Sequence, residues 1–293
     1  MLDLAEAAQI YYSKYFTFKP LLKIIKLKHF NKREFGFTIF QKEEKTKRFI
    51  RNYSFEEPSN LKSFIIEKNA IGVYIGAIYD PPPSPKNPIT KNKWQGRELI
   101  FDLDLTDYDD IRECGKGKDH YCPKCWPLIT KAAKFIDESL KKDFGFEEII
   151  WVYSGRRGLH AWVLDEEAFL LDEKNREAIA EYLTVTSEHE FFPPKYYERA
   201  IKIYANMDQT NLDLIKRKEF IKKIWKNIVK ELPRIDKKVT MDIVRLLRVP
   251  GSIHDETGKI VTIIEEIEKF YPDEIPDVWE VIGEKRKITI HKE

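Results

Sequence analysis

Glu98-Leu99-Ile100-Phe101-Asp102-Leu103-Asp104 is an apolar run that ends in two carboxylates, and it predicts a buried β-strand. Side chains two residues apart in a strand lie on the same face, so Asp102 and Asp104 point the same way. Two adjacent ionised carboxylates repel each other and are costly beside a core, and a divalent cation such as Mg²⁺ or Mn²⁺ removes that cost. The alternative is a strand that runs into a solvated acidic turn, because the pattern Asp-x-Asp is common.

The composition describes a chain with a sizeable core and almost no net charge. Its 293 residues suggest one large domain or one domain with a smaller insertion, and 42% of them are hydrophobic. The 51 basic residues nearly balance the 49 acidic ones, so a surface that binds nucleic acid requires local segregation of charge. No apolar run approaches the ~20 residues that cross a bilayer, and residues 1–15 lack the basic start of a secretory signal. We therefore expect an intracellular, cytoplasmic protein with no membrane partner.

Alternating apolar periods predict an α/β protein with a helical insertion. The strand pattern occurs at 34–40, 47–55, 71–79, 98–104, 149–153, 161–164 and 259–265. The helical pattern occurs at 2–16, after Pro20, and at 60–68, 127–142, 171–184, 195–206, 212–231 and 273–283. We expect residues 1–169 and 234–293 to form the α/β domain and residues 170–233 to form a helical subdomain inserted in it.

A cluster of cysteines predicts a zinc site. Cys114, His120, Cys122 and Cys125 form the pattern C-x5-H-x-C-x2-C, which uses every cysteine of the chain. Thiolates with one imidazole are a common tetrahedral set for Zn²⁺, and a closed set of four ligands is structural because no position remains for substrate. The alternative is three unrelated cysteines.

A second polar cluster lies between two predicted strands, in Ser154-Gly155-Arg156-Arg157-Gly158-Leu159-His160. Its glycines permit a sharp turn and close approach of a ligand, and its adjacent arginines offer planar donors suited to phosphate. A surface hairpin with solvated arginines is the alternative. Further on, the strand signal returns after Pro233, where the apolar stretch 239–243 carries a third acid, Asp242.

With these motifs the chain resembles the small catalytic subunit of archaeal and eukaryotic DNA primases. The resemblance is most specific in three stretches that occur in the family's order. They are Phe101-Asp102-Leu103-Asp104-Leu105-Thr106-Asp107-Tyr108-Asp109-Asp110, Cys122-Pro123-Lys124-Cys125-Trp126 and Trp151-Val152-Tyr153-Ser154-Gly155-Arg156-Arg157-Gly158-Leu159-His160. The position of His120 among the cysteines looks like the archaeal version of the zinc set, since eukaryotic members use a fourth cysteine.

The resemblance implies roles for individual residues. Asp102, Asp104 and Asp242 match the family's three acids that bind Mg²⁺ or Mn²⁺. Other positions match residues that bind the nucleotide triphosphate or follow the third acid: Ser154, Arg156, Arg157, His160, Arg248 and His254. Glu34 and Arg51 match polar residues at the rim of the site.

The family further implies a fold, an activity and partners. The fold is an α/β (α+β) catalytic fold with mixed or antiparallel sheets flanked by helices and a zinc knuckle. The activity is template-directed synthesis of short primers from nucleoside triphosphates, a nucleotidyl transfer assisted by two metal ions. The implied partners are a large subunit that carries an iron–sulfur cluster, single-stranded DNA template, and NTPs or dNTPs. A primase-polymerase that extends DNA in repair, an inactive zinc-bearing binding module and a sugar-nucleotide transferase remain alternatives.

Overall fold

Two antiparallel sheets with helices packed against them make up the computed structural model, which describes residues 2–25, 27–112, 114, 121–184, 193–206 and 224–284. The strands are β1 (Arg33–Gln41), β2 (Thr46–Tyr53), β3 (Ala70–Asp80), β4 (Lys93–Gly96), β5 (Leu99–Asp104), β6 (Ile149–Tyr153), β7 (Gly158–Val163), β8 (Leu247–Arg248) and β9 (Thr262–Ile264). The helices are α1 (Leu4–Lys14), α2 (Lys19–Ile24), α3 (Pro58–Glu67), α4 (Trp126–Asp143), α5 (Glu166–Phe169), α6 (Glu173–Leu183), α7 (Pro194–Tyr204), α8 (Lys237–Met241) and α9 (Val278–Ile282).

Each sheet is built from antiparallel neighbours. The first has the order β2-β1-β3-β4, and β8 pairs with β3; the second has the order β5-β7-β6-β9. Successive side chains of a strand point to opposite faces of its sheet. In β1, Phe35 and Phe37 therefore enter one core, while Glu34 and Gly36 lie on the opposite face. The predicted α/β class with antiparallel sheets and flanking helices is confirmed.

The two faces of the second sheet serve different purposes. Leu99, Phe101 and Leu103 of β5 pack in a second core that includes Ile129 and Ile136 of α4. The intervening side chains of β5 point to the opposite face, where Ile100 joins the first core and the two aspartates are only partly buried. An apolar face against α4 therefore aims both carboxylates at the opposite side, as the alternation predicted.

A buried ion pair joins the first sheet to the segment that leads into β5. The Arg33 guanidinium donates two hydrogen bonds of 2.8 Å to the Glu98 carboxylate, and both side chains are at most 5% exposed. Arg33 begins β1 and Glu98 immediately precedes β5, so the pair sets one sheet against the other next to Glu34 and the acid strand.

Helices occupy the described part of the expected insertion. Residues of α6 join the second core, whereas α7 packs with Phe135 of α4 and Ile228 in a third, smaller cluster. Most of the helix expected at 212–231 lies outside the described residues. The division into two domains stays a prediction.

The apolar stretch 239–243 is not a strand, and that expectation is wrong. Residues Lys237–Met241 form α8, whose N-cap Asp236 accepts a hydrogen bond from the Lys238 backbone, and Asp242 is its C-cap. Short apolar runs do not distinguish a strand from a helix, and here the capping aspartate favours the helix. The last helix is also shorter than expected, because a 3₁₀ turn, Pro272–Glu274, precedes Val278–Ile282. No helix among the described residues is long and apolar enough to cross a membrane.

Candidate active site

The two aspartates of β5 lie directly beside the strand that leaves the arginine turn. In the antiparallel pair β5–β7, Asp102 is opposite His160 and Asp104 is opposite Gly158. A Cβ atom on Gly158 would lie 2.3 Å from the carbonyl oxygen of Leu103, so only glycine permits this approach of the two backbones. The turn is therefore held against the acid strand by its own backbone.

Each of these aspartates contacts a side chain from β7 or the turn before it. Arg157 donates from Nε to Asp104 Oδ1 at 2.7 Å, and His160 Nε2 lies 3.3 Å from Asp102 Oδ1. Asp104 also accepts hydrogen bonds of 2.8 Å from the backbone and hydroxyl of Thr106. His160 is buried, and its Nδ1 has no hydrogen-bond partner among the described residues. These contacts bring together four of the residues that the sequence singled out.

The turn itself is fixed from both sides. The Ser154 N–H donates to the carbonyl of Gly158 at 3.0 Å, and the Tyr153 hydroxyl donates to that of Arg156 at 2.8 Å. Gly155 has φ +91°, and a Cβ atom there would lie 2.7 Å from Cβ of His254. The turn thus packs on the segment that contains His254, and Arg156 forms an ion pair with Glu256 of that segment.

The third acid, Asp242, is the C-cap of α8, a helix that packs on β5. The Asp236 N–H at the start of α8 donates to the carbonyl of Asp102 at 3.2 Å. At the other end, Arg97 Nη1 donates to the Asp242 carbonyl at 2.7 Å, and the Asp242 carboxylate accepts from the Val244 N–H at 2.9 Å. Among the described residues, the three aspartates do not form a set whose oxygens all lie within 4.8 Å of one another. Their joint role as metal ligands stays a prediction.

The rim residues Glu34 and Arg51 contact each other and the loop after the third acid. Arg51 donates to both carboxylate oxygens of Glu34 at 2.9 Å and to the carbonyl of Val244 at 2.8 Å. Hydrogen bonding with Glu34 raises the pKa of Arg51 above its usual value against the opposing effect of burial. This pair therefore attaches β1 and β2 to the segment between α8 and β8.

Arg248 and His254 form a second cluster with Asp255. Arg248 donates to Asp255 at 2.8 Å, and Nδ1 of His254 accepts from the N–H groups of Glu256 and Thr257 at 3.2 and 3.3 Å. Burial, followed by the Arg248 charge, lowers the pKa of His254 to about 3. Burial opposes ionisation of Asp255, but Arg248 lowers its pKa to about 2. His254 is consequently neutral near pH 7, with its proton on Nε2.

A cavity of about 560 Å³ opens beside the acid strand. Asp102, Asp104, Asp107 and Asp236 line it together with basic side chains, which are Arg234, Lys237 and Lys238. Partial burial of the carboxyl group, and then the charges of Asp104, Asp102 and Asp236, raise the pKa of Asp107 to about 6. This concentration of acid suits a site for cations.

Sequence reasoning missed several of these polar residues. Asp107 and Asp255 each lie within three residues of a predicted site residue, so proximity along the chain was an available signal. Arg97 and Asp236 had no such signal, because their relevance depends on which segments pack beside the acid strand.

The three cysteines come together as predicted. Their sulfur atoms all lie within 4.8 Å of one another, and those of Cys114 and Cys122 are 2.8 Å apart. Burial would raise the pKa of the Cys122 thiol, but hydrogen bonding with Cys114 and nearby backbone amides lowers it to about 6. The same hydrogen bond raises the pKa of the Cys114 thiol to about 12, so the contact favours a thiolate at only one of these two sulfurs. His120 lies outside the described residues, so the fourth ligand stays a prediction.

Comparisons with known proteins agree with one another. Residues 101–266 match the family model of the DNA primase small subunit. The chain is 29% identical to the DNA primase small subunit of Drosophila melanogaster, over 96% of this chain and 82% of that protein. It is 28% identical to the DNA primase small subunit PriS of Thermococcus onnurineus, over 92% of this chain and 91% of that protein.

A solved structure supports the fold. The polymerase domain of Mycobacterium tuberculosis ligase D, in complex with DNA, aligns with a TM-score of 0.51 over 94% of this chain and 86% of that one, at 12% identity. The family match spans β5, the arginine turn, α8 and the segment with His254, all of which build the site described above. The chain belongs to the DNA primase small subunit family.

Proposed function

We propose that this chain is the catalytic small subunit of a DNA primase, which joins nucleoside triphosphates into short primers on a DNA template. One observation carries the proposal: the paired aspartates of β5 lie directly against the arginine turn of β7, within the span that matches the family. A binding module has no need for paired acids beside such a turn. The reaction class is nucleotidyl transfer.

Asp102, Asp104 and Asp242 are the residues that would hold the catalytic divalent cations, Mg²⁺ or Mn²⁺. The donor set fits, because these hard cations prefer carboxylate oxygens and substrate phosphates. Bound there, the cations would neutralise charge on the attacking and leaving oxygens. Arg157 forms an ion pair with Asp104, and His160 Nε2 lies 3.3 Å from Asp102 Oδ1; these contacts keep both carboxylates oriented toward the open face.

The cationic groups around the turn would bind the triphosphate. Arg157 lies 2.7 Å from Asp104, so it can exchange the carboxylate for a phosphate oxygen without a large movement. Arg156 and Arg248 each pair with a carboxylate, Glu256 and Asp255, that holds the guanidinium beside the turn. Ser154 and His160 would donate hydrogen bonds to the same phosphates. Neutral His254 would donate from Nε2, since its Nδ1 is already occupied by two backbone N–H groups.

We propose that Cys114, Cys122 and Cys125 bind a structural Zn²⁺ with His120 as the fourth ligand. The proximity of the three sulfurs supports this set. We further propose single-stranded DNA as template, a large subunit with an iron–sulfur cluster as partner, and an intracellular location. In this proposal residues 1–169 and 234–293 form the catalytic domain and residues 170–233 a helical subdomain.

A primer-free synthesis assay tests the function. Purified protein is given single-stranded DNA, Mg²⁺ or Mn²⁺, and either NTPs or dNTPs, with and without a primer. We expect synthesis without a primer, and we expect Asp104→Asn to abolish it while leaving the zinc content and the circular dichroism spectrum unchanged. The matched control Glu67→Gln removes an exposed carboxylate at the end of α3 and should keep full activity. Incorporation only onto existing primers would favour a primase-polymerase, and undiminished synthesis by Asp104→Asn would refute the assigned acids.

A further inference from the structure

An exposed aromatic ring stands on the side of the first sheet that carries the site. Phe49 is 51% exposed, and it is one of four large hydrophobic residues that are exposed among those described, with Tyr15, Leu22 and Leu170. It lies on β2 two residues before Arg51 and opposite Thr38 of β1, so it shares the face of Arg51 and Glu34. Single exposed hydrophobic side chains are common on protein surfaces, so the groups beside Phe49, rather than its exposure, indicate what could cover it.

The ring is connected to the cluster proposed to bind phosphate. The centroids of the Phe49 and Tyr74 rings are 5.3 Å apart, with an edge contact at 81°. On the neighbouring strand, Cζ of Arg248 lies 5.3 Å from the centroid of Tyr74. Phe49, Tyr74 and Arg248 therefore form a continuous row, with the aromatic ring at one end and the guanidinium at the other.

Two glycines keep the surface beside Phe49 flat. A Cβ atom on Gly36 would lie 2.7 Å from Leu246 and 3.2 Å from the Phe49 ring, and one on Gly76 would lie 2.7 Å from Leu246. Because these glycines have no side chains, Leu246 rests on the sheet and adds apolar surface next to the ring. Arg51 lies next to this apolar surface along β2 and donates a hydrogen bond to the carbonyl of Val244, in the loop after Asp242. On the other side of the surface, Tyr74 contacts Arg248, one of the cations proposed to bind phosphate.

We propose that Phe49 stacks on the base of the nucleotide whose triphosphate the Arg248 side of the site binds. This rests on the proposed function and extends it, by assigning the contact that holds the base. An apolar ring linked to phosphate-binding cations matches the two ends of a nucleoside triphosphate. Stacking uses the π-face that every base has, so it suits an enzyme in which the template, rather than the protein, must select the base. A base of the template strand is the competing occupant.

The test compares two ligands that share the triphosphate. Binding of ATP and of inorganic tripolyphosphate to the full chain is measured by calorimetry with Mg²⁺ present, and binding of single-stranded DNA is measured in parallel. We expect Phe49→Ala to weaken ATP binding by about 5- to 150-fold, the loss that removal of one stacked base produces, and to leave tripolyphosphate binding unchanged. Phe49→Tyr should bind ATP like the wild type. The control Tyr15→Ala removes an exposed aromatic residue just after α1 and should change neither affinity.

Three results would overturn the proposal. Phe49→Ala could bind ATP as tightly as the wild type, or its affinities for ATP and tripolyphosphate could fall equally. Its affinity could instead fall only for single-stranded DNA, which would assign the ring to the template. Failure of the wild-type chain to bind either ligand would instead refute the proposed function itself. Circular dichroism of each variant separates these outcomes from a failure to fold.

Discussion

The buried pair of Arg33 and Glu98 should be among the most sensitive positions for stability. Its side chains are 2% and 5% exposed, so removing Arg33 leaves the buried Glu98 carboxylate without its hydrogen-bonded partner, with the nearby charges of Arg97 and Arg176 opposite it. We expect Arg33→Met to lower the free energy of unfolding by about 3–5 kcal/mol, the cost typical of breaking a buried pair. Arg33 also donates to the carbonyl of Gly76 at 2.9 Å, and that bond contributes about 1 kcal/mol of the loss.

The double variant Arg33→Met/Glu98→Leu separates charge from packing. Because Glu98 also stabilises the buried guanidinium groups of Arg97 and Arg176, the double variant leaves these two charges without that carboxylate and should be no more stable than Arg33→Met. Unfolding in guanidinium chloride at 25 °C, followed by circular dichroism, measures all three proteins. The neighbouring pair of Lys32 and Asp80 is 42% and 56% exposed, so Lys32→Met is the control and should cost less than about 1 kcal/mol. A double variant more stable than Arg33→Met by about 2 kcal/mol or more would instead show that Arg33 is the one cation that stabilises Glu98.

Two further predictions concern zinc and pH. Cys122→Ser should reduce the zinc content measured by elemental analysis and lower the melting temperature, since a thiolate ligand is lost; full zinc content in this variant would contradict the proposed site. His254 has a pKa lowered to about 3 by burial and Arg248, so the unfolded chain takes up a proton below pH 6.5 that the native chain does not. The contribution of His254 to the free energy of unfolding is fully present above pH 6.5. As the pH falls from 6.5 to 3, this contribution decreases by up to about 1.4 kcal/mol per pH unit. His254→Asn keeps an acceptor for the backbone N–H groups and should flatten denaturation curves between pH 6 and 4.5; equal pH dependence in both proteins would count against it.

Local patterns were sufficient for the elements that carry the acid pair and the turn. The alternation in residues 98–104 predicted a strand with both aspartates on one face, and β5 has that form because Leu99, Phe101 and Leu103 pack against α4. The cysteine spacing predicted a cluster, and the three sulfurs meet because all lie within twelve residues. In each case the separation along the chain is short, so sequence period and spacing limit the geometry directly.

The element of the third acid was mistaken because its context is tertiary. Four of the five residues at 239–243 are apolar or β-branched, and such a short run suits a strand or a helix equally; capping by Asp236 and packing on β5 favour the helix α8. Likewise, the hydrogen-bond partners of Asp242 are Arg97 and Val244. The loop after Asp242 is connected to β2 by the hydrogen bond from Arg51 to the Val244 carbonyl. No periodicity encodes such contacts between distant segments.

The sequence alone determined the chemistry of this protein: two acids on one strand face, an arginine turn between glycines, a cysteine cluster and the family they resemble. Only the tertiary structure decided which groups meet, namely Arg157 with Asp104, His160 with Asp102 and α8 with the acid strand. It also decided that Phe49 stays exposed beside Tyr74 while Phe35 and Phe37 are buried. The physical reason is that pattern sets the face of an element, whereas burial and pairing depend on which other elements cover that face.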